Sequence, residues 1–158
     1  MPVRDDGVIE RVYREDGARL WRSLVGYTGD RELATDAVAE AFAQALRRGE
    51  AIRDPQRWVW RAAFKIASGE LSRRSRLRPL GDVGQHRSIT EGSDIPAEVA
   101  ELLGKLSARQ RAVVVLCLYA GYSPKEVAAI SGCAPGTVRM HLSQARRKLR
   151  GLLEDDDA

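Results

Sequence analysis

The sequence of 158 residues is poor in aromatic side chains, cysteine and histidine, and it has no long apolar run. Its longest apolar segment, Ala112–Ala120, is about half of the ~18 residues that a membrane-spanning helix needs. Residues 2–6 lack the apolar stretch of a secretory signal peptide, so we expect a cytoplasmic protein without membrane insertion. Two cysteines, Cys117 and Cys133, cannot by themselves form a disulfide framework or a tetrahedral metal site. Secreted, membrane-spanning and cysteine-stabilised classes are therefore excluded.

Features that would mark an enzyme are also missing. The sequence has no Gly-rich phosphate loop and no carboxylate–histidine cluster. The two histidines, His86 and His141, have no recognised zinc-ligand spacing to Cys133, and packing explains that cysteine better than a metal does. We expect no catalysis, no metal and no cofactor.

The net charge of +4 is unevenly distributed along the chain. Residues 1–50 and 80–109 each carry −2, whereas residues 51–79 carry +6 and residues 110–158 carry +2. Most of the basic residues are arginine, the side chain that forks onto phosphates and guanine edges, although a GC-rich genome explains an arginine bias equally well. Two basic segments separated by acidic ones indicate two contacts with nucleic acid.

Helical periodicity dominates the chain on both sides of an irregular middle segment. No segment shows the alternation of apolar and polar residues that is typical of a strand. The middle, from Leu77 to Pro96, is interrupted by three glycines and bounded by prolines, which is typical of a linker. We therefore expect an all-α protein of two small helical domains joined by a flexible linker. The expected boundaries are 5–76, 77–96 for the linker, 97–152, and an acidic, disordered tail at 153–158.

The second domain contains the spacing of a helix-turn-helix. Ser107 and Ser123 each begin a helix with a glutamine or glutamate three residues later, which is the pattern of a capping box. Ala128, Gly132 and Val138 supply a small residue where two helices touch, a glycine suited to positive φ in the turn, and an apolar anchor in the second helix.

The last predicted helix has an apolar stripe and an arginine-rich opposite face. At ~100° per residue, Val138, Leu142, Ala145 and Leu149 fall together, and they are expected to be buried. The opposite face and the start of the helix bear no acid, which favours a recognition helix in the major groove over an ordinary solvated helix. The candidate DNA-contacting residues are Pro135, Gly136, Thr137, Arg139, Met140, Ser143, Arg146 and Arg147.

The predicted helix from Pro55 to about Arg74 combines cations with tryptophan. Arg57, Arg61 and Lys65 recur every four residues, and Trp58 lies beside them at the edge of the basic face. Cations that pair with phosphates and a ring on which a base stacks suit single-stranded nucleic acid. Trp60 is expected in the core, whereas for Trp58 burial and stacking are equally good interpretations.

The helix from about Asp30 to Gly49 has the opposite charge. Asp36 and Glu40 belong to an acidic face that should repel DNA and could attract a basic protein, although a merely solvated face is the usual reading of such a pattern.

The order of these segments resembles the extracytoplasmic-function (ECF) branch of the sigma-70 family of bacterial RNA polymerase sigma factors. Residues 13–17 and Gly29–Phe42 (GDRELATDAVAEAF) resemble region two, and Arg57–Ala67 (RWVWRAAFKIA) resembles its promoter-melting helix. Leu106–Leu116 (LSARQRAVVVL) and Gly121–Arg139 (GYSPKEVAAISGCAPGTVR) are similar to region four. The resemblance covers about residues 8–75 and 97–151.

The resemblance implies a promoter-specificity factor. The acidic helix with Asp36, Glu40 and Phe42 would dock on the beta-prime clamp helices of core RNA polymerase, and the beta flap and an anti-sigma factor would be further partners. The last helix would read the minus-thirty-five element of promoter DNA. The residues that would recognise and melt the minus-ten element are Arg53, Arg57, Trp58, Arg61, Lys65 and Arg73.

Two other functions stay open at this point. A stand-alone helix-turn-helix regulator would account for the last helix but not for the Trp58 face or the acidic helix. An adaptor that mimics a sigma factor and sequesters an anti-sigma factor would keep the fold, but it would not need Arg139, Arg146 and Arg147.

Overall fold

The computed structural model describes residues 6–77 and 95–156, and every regular element in these ranges is helical. This confirms the all-α prediction. Most of the predicted linker, with His86, lies outside the described residues. Below, residues 6–77 are called the first block and residues 95–156 the second block.

The first block consists of three helices that pack against one another: α1 (Asp6–Thr28), α2 (Arg31–Arg48) and α3 (Pro55–Leu77). Asp30 caps α2, because its carboxylate accepts a hydrogen bond from the Leu33 amide at 3.1 Å. A 3₁₀ turn, Gly49–Ala51, leads to α3, which begins with proline at a position where no amide donor is needed.

The second block contains α4 (Ala97–Gly104), α5 (Ala108–Val114), α6 (Pro124–Ser131) and α7 (Pro135–Asp156). A π-helical turn, Val115–Tyr119, continues α5. Both predicted capping boxes are present, at Ser107 with Gln110 and at Ser123 with Glu126. Leu116 and Val138 are fully buried at the centre of the block.

Two helices are longer than the sequence predicted. Helix α3 continues from Arg74 to Leu77, and α7 continues from Gly151 to Asp156. The expectation of a disordered acidic tail is therefore wrong for residues 154–156. Leu152 provides the reason, since it lies on the same stripe as Val138 and is half-buried, so that packing continues for another turn.

The buried side chains of the two blocks form one continuous core. Tyr27 of α1 stacks on Phe64 of α3, and the second block packs on these same two helices through its π-helical turn and α6. The two predicted domains are thus in direct contact in this structure. The boundaries expected from the sequence remain predictions.

We predict that the free energy of unfolding depends on Val138 far more than on an exposed valine of the same block. Val138→Ala removes two methyl groups from a fully buried position, and about 2 kcal/mol should be lost. Val99→Ala is the matched control, because Val99 on α4 is 44% exposed, and its loss should stay below about 0.5 kcal/mol. Urea unfolding followed by circular dichroism measures both values, and equal losses would contradict the packing described.

Candidate nucleic-acid interface

The turn between α6 and α7 sets the direction of α7. Gly132 has a φ of 72°, in the left-handed region that glycine tolerates, and its amide donates to the Ala128 carbonyl at 2.9 Å. Cys133 donates to the same carbonyl at 3.2 Å. Val138 and Ala145 then hold α7 on the core with fully buried side chains, so that its other side is presented to solvent.

The solvent side of α7 is the arginine-rich face predicted from the sequence. Arg139, with Arg146 and Arg147, is exposed and borders a groove of about 710 Å³ between α7, the π-helical turn and the start of α6. None of the groove's lining residues is acidic. The other predicted α7 contacts are exposed, or half-buried in the case of Thr137: Pro135, Gly136, Thr137, Met140 and Ser143.

Helix α3 presents its basic face in a similar way. Arg57, Arg61 and Lys65 are all exposed, whereas Trp60 and Phe64 on the opposite side are buried. The apolar residues that hold α3 on the first block are Val59, Trp60, Ala63, Phe64 and Ala67. The burial of Trp60 predicted from the sequence is confirmed.

Asp16 of α1 provides the polar contacts that reinforce this rotation of α3. The Trp60 indole Nε1 donates to the Asp16 carboxylate at 2.5 Å, and the same carboxylate accepts from Gln56 Nε2 at 3.1 Å and Arg19 Nε at 2.7 Å. Burial alone would raise the pKa of Asp16, but the hydrogen bonds from Arg19, Trp60 and Gln56 lower it overall. Asp16 was not singled out by the sequence patterns, because it lies on a different helix from its partners Trp60 and Gln56.

Trp58 is half-buried at the edge of the basic face of α3. It packs against the core, and the Arg48 guanidinium lies 5.5 Å from the centre of its ring. The ring is therefore neither fully buried nor fully exposed, and a guanidinium lies near it.

The other two residues predicted to contact the minus-ten element, Arg53 and Arg73, differ in their environment. Arg53 is exposed. Arg73 forms hydrogen bonds of 2.6 and 3.0 Å with Glu70, and these help to lower the pKa of Glu70 to about 2. Arg74 joins Glu70 to Asp30 of α2, at 2.7 Å from the Asp30 carboxylate. Arg73 is thus an ion-paired cation in this structure.

The predicted polymerase-docking residues of α2 do not all face solvent. Asp36 and Glu40 are exposed, and Glu40 accepts hydrogen bonds from Gln44 at 3.0 Å and Arg47 at 3.1 Å. Phe42 is only 7% exposed, because its ring packs edge-on against Tyr13, with the ring centres 5.1 Å apart. Of the two rings in this pair, the exposed one is Tyr13 of α1, whose side chain is 58% exposed.

The structure also places part of the basic face of α3 beside the start of α7. A cavity of about 520 Å³ is lined by Arg61 and Lys65 of α3 and by Thr137 and His141 of α7. Arg139, Arg146 and Arg147 of α7 border the other groove, so the two basic faces do not share a cavity.

The described part of the chain comprises residues 6–77 and 95–156. These residues contain no cluster of three or more His, Cys, Asp or Glu side chains able to hold a metal ion. Within the same ranges, no helix has the length and hydropathy needed to cross a bilayer.

The second block and the whole chain both have relatives in one protein family. Residues 97–149 match the family model of sigma-70 region 4. The chain is 33% identical to ECF RNA polymerase sigma factor SigL of Mycobacterium tuberculosis, in an alignment that covers 94% of this chain and 90% of SigL. The chain belongs to the ECF sigma factors.

A further curated relative and two solved structures are also similar to this chain. Sigma factor SigV of Bacillus subtilis is 23% identical over 87% of this chain and 86% of SigV. The fold resembles sigma factor RpoE of Bartonella quintana, solved with the anti-sigma factor NepR, with a TM-score of 0.72 over 96% of this chain and 98% of that one at 23% identity. It also resembles CnrH, solved with the cytosolic domain of CnrY, with a TM-score of 0.70 over 96% and 90% at the same identity.

We predict that Asp16 makes the stability of this sigma factor sensitive to acid. Its lowered pKa means that the carboxylate stabilises the fold above its unfolded-state pKa, and that this contribution is lost as the pH falls through the folded-state pKa. Asp16→Asn should cost about 1–3 kcal/mol at pH 7 and should make stability fall less steeply below pH ~4.

The control is Glu15→Gln, which changes the neighbouring exposed acid. Urea unfolding between pH 3 and pH 7 compares the three proteins. An Asp16→Asn variant with the wild-type pH dependence would show that this carboxylate is not held as described.

Proposed function

We propose that this chain binds core RNA polymerase and directs it to promoters, and that it performs no catalysis of its own. The observation that supports this most strongly is the pair of exposed basic faces, on α3 and α7, in a member of the ECF family. A protein that places polymerase must reach duplex DNA at one position and separated strands at another. The two faces differ in the way that these tasks require, since one is an arginine-rich recognition helix and the other joins cations to a tryptophan.

The face of α7 is proposed to read the minus-thirty-five element. Arg139, Ser143, Arg146 and Arg147 are all exposed. The first two are proposed to contact base edges, and Arg146 and Arg147 to contact phosphates. The α3 face, with Arg57, Arg61 and Lys65, is proposed to hold the melted minus-ten strand, with Trp58 as the platform for a base. Arg53 and Arg73 would extend this surface. Arg73 would give up its ion pair with Glu70 and bind a DNA phosphate instead.

The acidic face of α2 is proposed to dock on the beta-prime clamp helices. Asp36 and Glu40 provide its charge, while Phe42 supports Tyr13, the side chain that is exposed to a partner. The beta flap is proposed as the contact of the second block. Such a protein would act in the cytoplasm with polymerase.

An anti-sigma factor is proposed as a further partner. The two structures of similar fold are complexes with NepR and with the cytosolic domain of CnrY. A stand-alone regulator is less well supported, because it gives no role to the α3 face or to the acidic face of α2.

Run-off transcription with core polymerase over a library of promoters tests the proposed function. Adding the chain should produce transcripts from a defined subset of promoters. No gain in initiation at any promoter would contradict the proposal.

We predict that Arg139→Ala weakens the reading of the minus-thirty-five element. Loss of one bidentate base contact should remove about 1–3 kcal/mol of discrimination between the preferred promoter and one with a changed minus-thirty-five base. Lys148→Ala is the control, since Lys148 is exposed on the flank of α7 away from Arg139. Competition between two promoter templates in holoenzyme binding measures the effect, and equal discrimination by both variants would exclude a base contact by Arg139.

We predict that Trp58→Ala impairs promoter opening more than closed-complex binding. Base–aromatic stacking contributes about 1–3 kcal/mol per base, and it forms only after the strands separate. Trp58→Phe keeps a ring and should retain most of the opening. Permanganate footprinting reports opening and filter binding at low temperature reports the closed complex. An equal loss in both steps would count against a stacking role.

A further inference from the structure

The cavity of about 520 Å³ beside α3 collects cations from two distant parts of the chain. Arg61 and Lys65 of α3 line it together with Arg109 of α5. All three side chains are exposed, and none has an ion pair with a carboxylate among residues 6–77 and 95–156. They are therefore available to a ligand.

Arg109 reaches the cavity because its helix is held next to α1. The guanidinium Nε of Arg111, two residues further along α5, donates to the Tyr27 carbonyl at 2.5 Å. Tyr27 and the ring stacked on it, Phe64 of α3, both line the cavity. The sequence patterns did not single out Arg109, because the other two cations of the cavity lie on a different helix.

The electrostatic character of the cavity is that of an anion site. No acidic residue is present among its described lining residues, so nothing there offsets the three positive charges. A cleft lined by charges of one sign focuses the field and raises the local concentration of counter-ions. Guanidinium and ammonium groups form charge-assisted hydrogen bonds with phosphate oxygens. The cavity therefore favours a phosphate group.

Further hydrogen-bond donors lie among the cations. Ser68 of α3, Ser131 of α6 and Thr137 of α7 bring hydroxyl groups to the lining. Thr137 belongs to the first turn of α7, where backbone amides have no partner within the helix and the helix dipole is positive. Phosphates are commonly bound by such a turn in combination with side-chain donors.

The rest of the lining is apolar. It includes Phe64, Ala112, Val113 and Ile130. A volume of about 520 Å³ with a few converging polar groups and an apolar wall is typical of a small-molecule site, for which volumes of about 300–1,000 Å³ are usual. These dimensions suit one small molecule better than a duplex, which needs a longer open surface.

We propose that this cavity binds a phosphorylated small molecule of about the size of a nucleotide. Arg61, Lys65 and Arg109 hold its phosphate groups, and its apolar part lies against Phe64 and Val113. This binding does not depend on the proposed function.

Isothermal titration calorimetry of the full chain tests the ligand class with three probes: ATP, inorganic tripolyphosphate and adenosine. ATP should bind with a Kd below ~1 mM. Adenosine should bind at least about tenfold more weakly, because it cannot form hydrogen bonds to the cations through phosphate. Tripolyphosphate should bind less tightly than ATP, since it leaves the apolar wall uncovered.

The same titrations can contradict the proposal. No binding of ATP at ~1 mM, or adenosine binding as tightly as ATP, would overturn it. Tripolyphosphate binding as tightly as ATP would overturn the role of the apolar wall.

Substitution of single cations tests the site itself. Arg109→Gln and Lys65→Gln should each raise the Kd for ATP about tenfold or more, which is the loss expected for a hydrogen bond to a charged group. Arg150→Gln is the matched control, because it removes the same charge from an exposed position at the other groove. An equal loss in Arg150→Gln would show that phosphates bind to basic surfaces in general, and it would overturn a defined site.

The position of the ligand can be read from His141. This residue lines the cavity, and the chain contains one other histidine, His86. In nuclear magnetic resonance spectra, the imidazole signals that disappear in His141→Asn belong to His141. These signals should shift in the wild-type protein when ATP is added. Unchanged His141 signals at saturating ATP would place the ligand elsewhere and overturn the proposal.

Competition with DNA is expected in addition, and this expectation rests on the proposed function. Arg61 and Lys65 are also the cations proposed to hold the melted minus-ten strand, so the ligand and the strand should exclude each other. Tripolyphosphate, which polymerase cannot incorporate, should therefore reduce promoter opening by holoenzyme in permanganate footprints. The reduction should be smaller with Arg109→Gln, which keeps both α3 cations but binds the probe more weakly.

The outcomes separate the ligand site from the function. Equal inhibition of wild type and Arg109→Gln would overturn the competition. A wild-type chain that opens no promoter even without the probe would overturn the proposed function and leave the calorimetric result on the cavity standing.

Discussion

The carboxylate of Asp16 is the interaction on which the arrangement of this molecule depends. It accepts hydrogen bonds from Trp60 and Gln56 of α3 and from Arg19 of its own helix. The bond to Trp60 reinforces the rotation of α3 that its buried apolar stripe favours, in which Arg57, Arg61 and Lys65 face solvent. The bond to Arg19 orients a guanidinium whose other nitrogens reach Ala120 and Tyr122 in the second block.

One buried acid thus links the basic face of α3 to the position of the second block. Because Arg19 also lies 4.9 Å from the centre of the Trp60 ring, the acid, the cation and the indole stabilise one another in a small volume. A change at Asp16 is therefore expected to affect both the fold of the first block and the contact between the blocks.

The distribution of charge follows from this arrangement. Acidic side chains lie on the exposed face of α2, and basic ones on α3 and α7. Where opposite charges meet, as in Arg73 with Glu70 and Arg74 with Asp30, the ion pairs stabilise the end of α3 in this structure. The cations without a described carboxylate partner on α3 and α7 are consequently the ones that favour contact with nucleic acid, and they border two separate grooves.

The sequence by itself determined the helices, their caps and the exposed arginine face of α7, because periodicity and capping act between residues three or four positions apart. The sequence was also sufficient to predict the protein family and the burial of the Trp60 side chain. Only the tertiary structure decided that Phe42 is buried under Tyr13, that Arg73 is paired, and that Arg19 and Arg111 join the two blocks. These outcomes depend on contacts between distant helices, and a local pattern carries no information on which distant helix will be its neighbour.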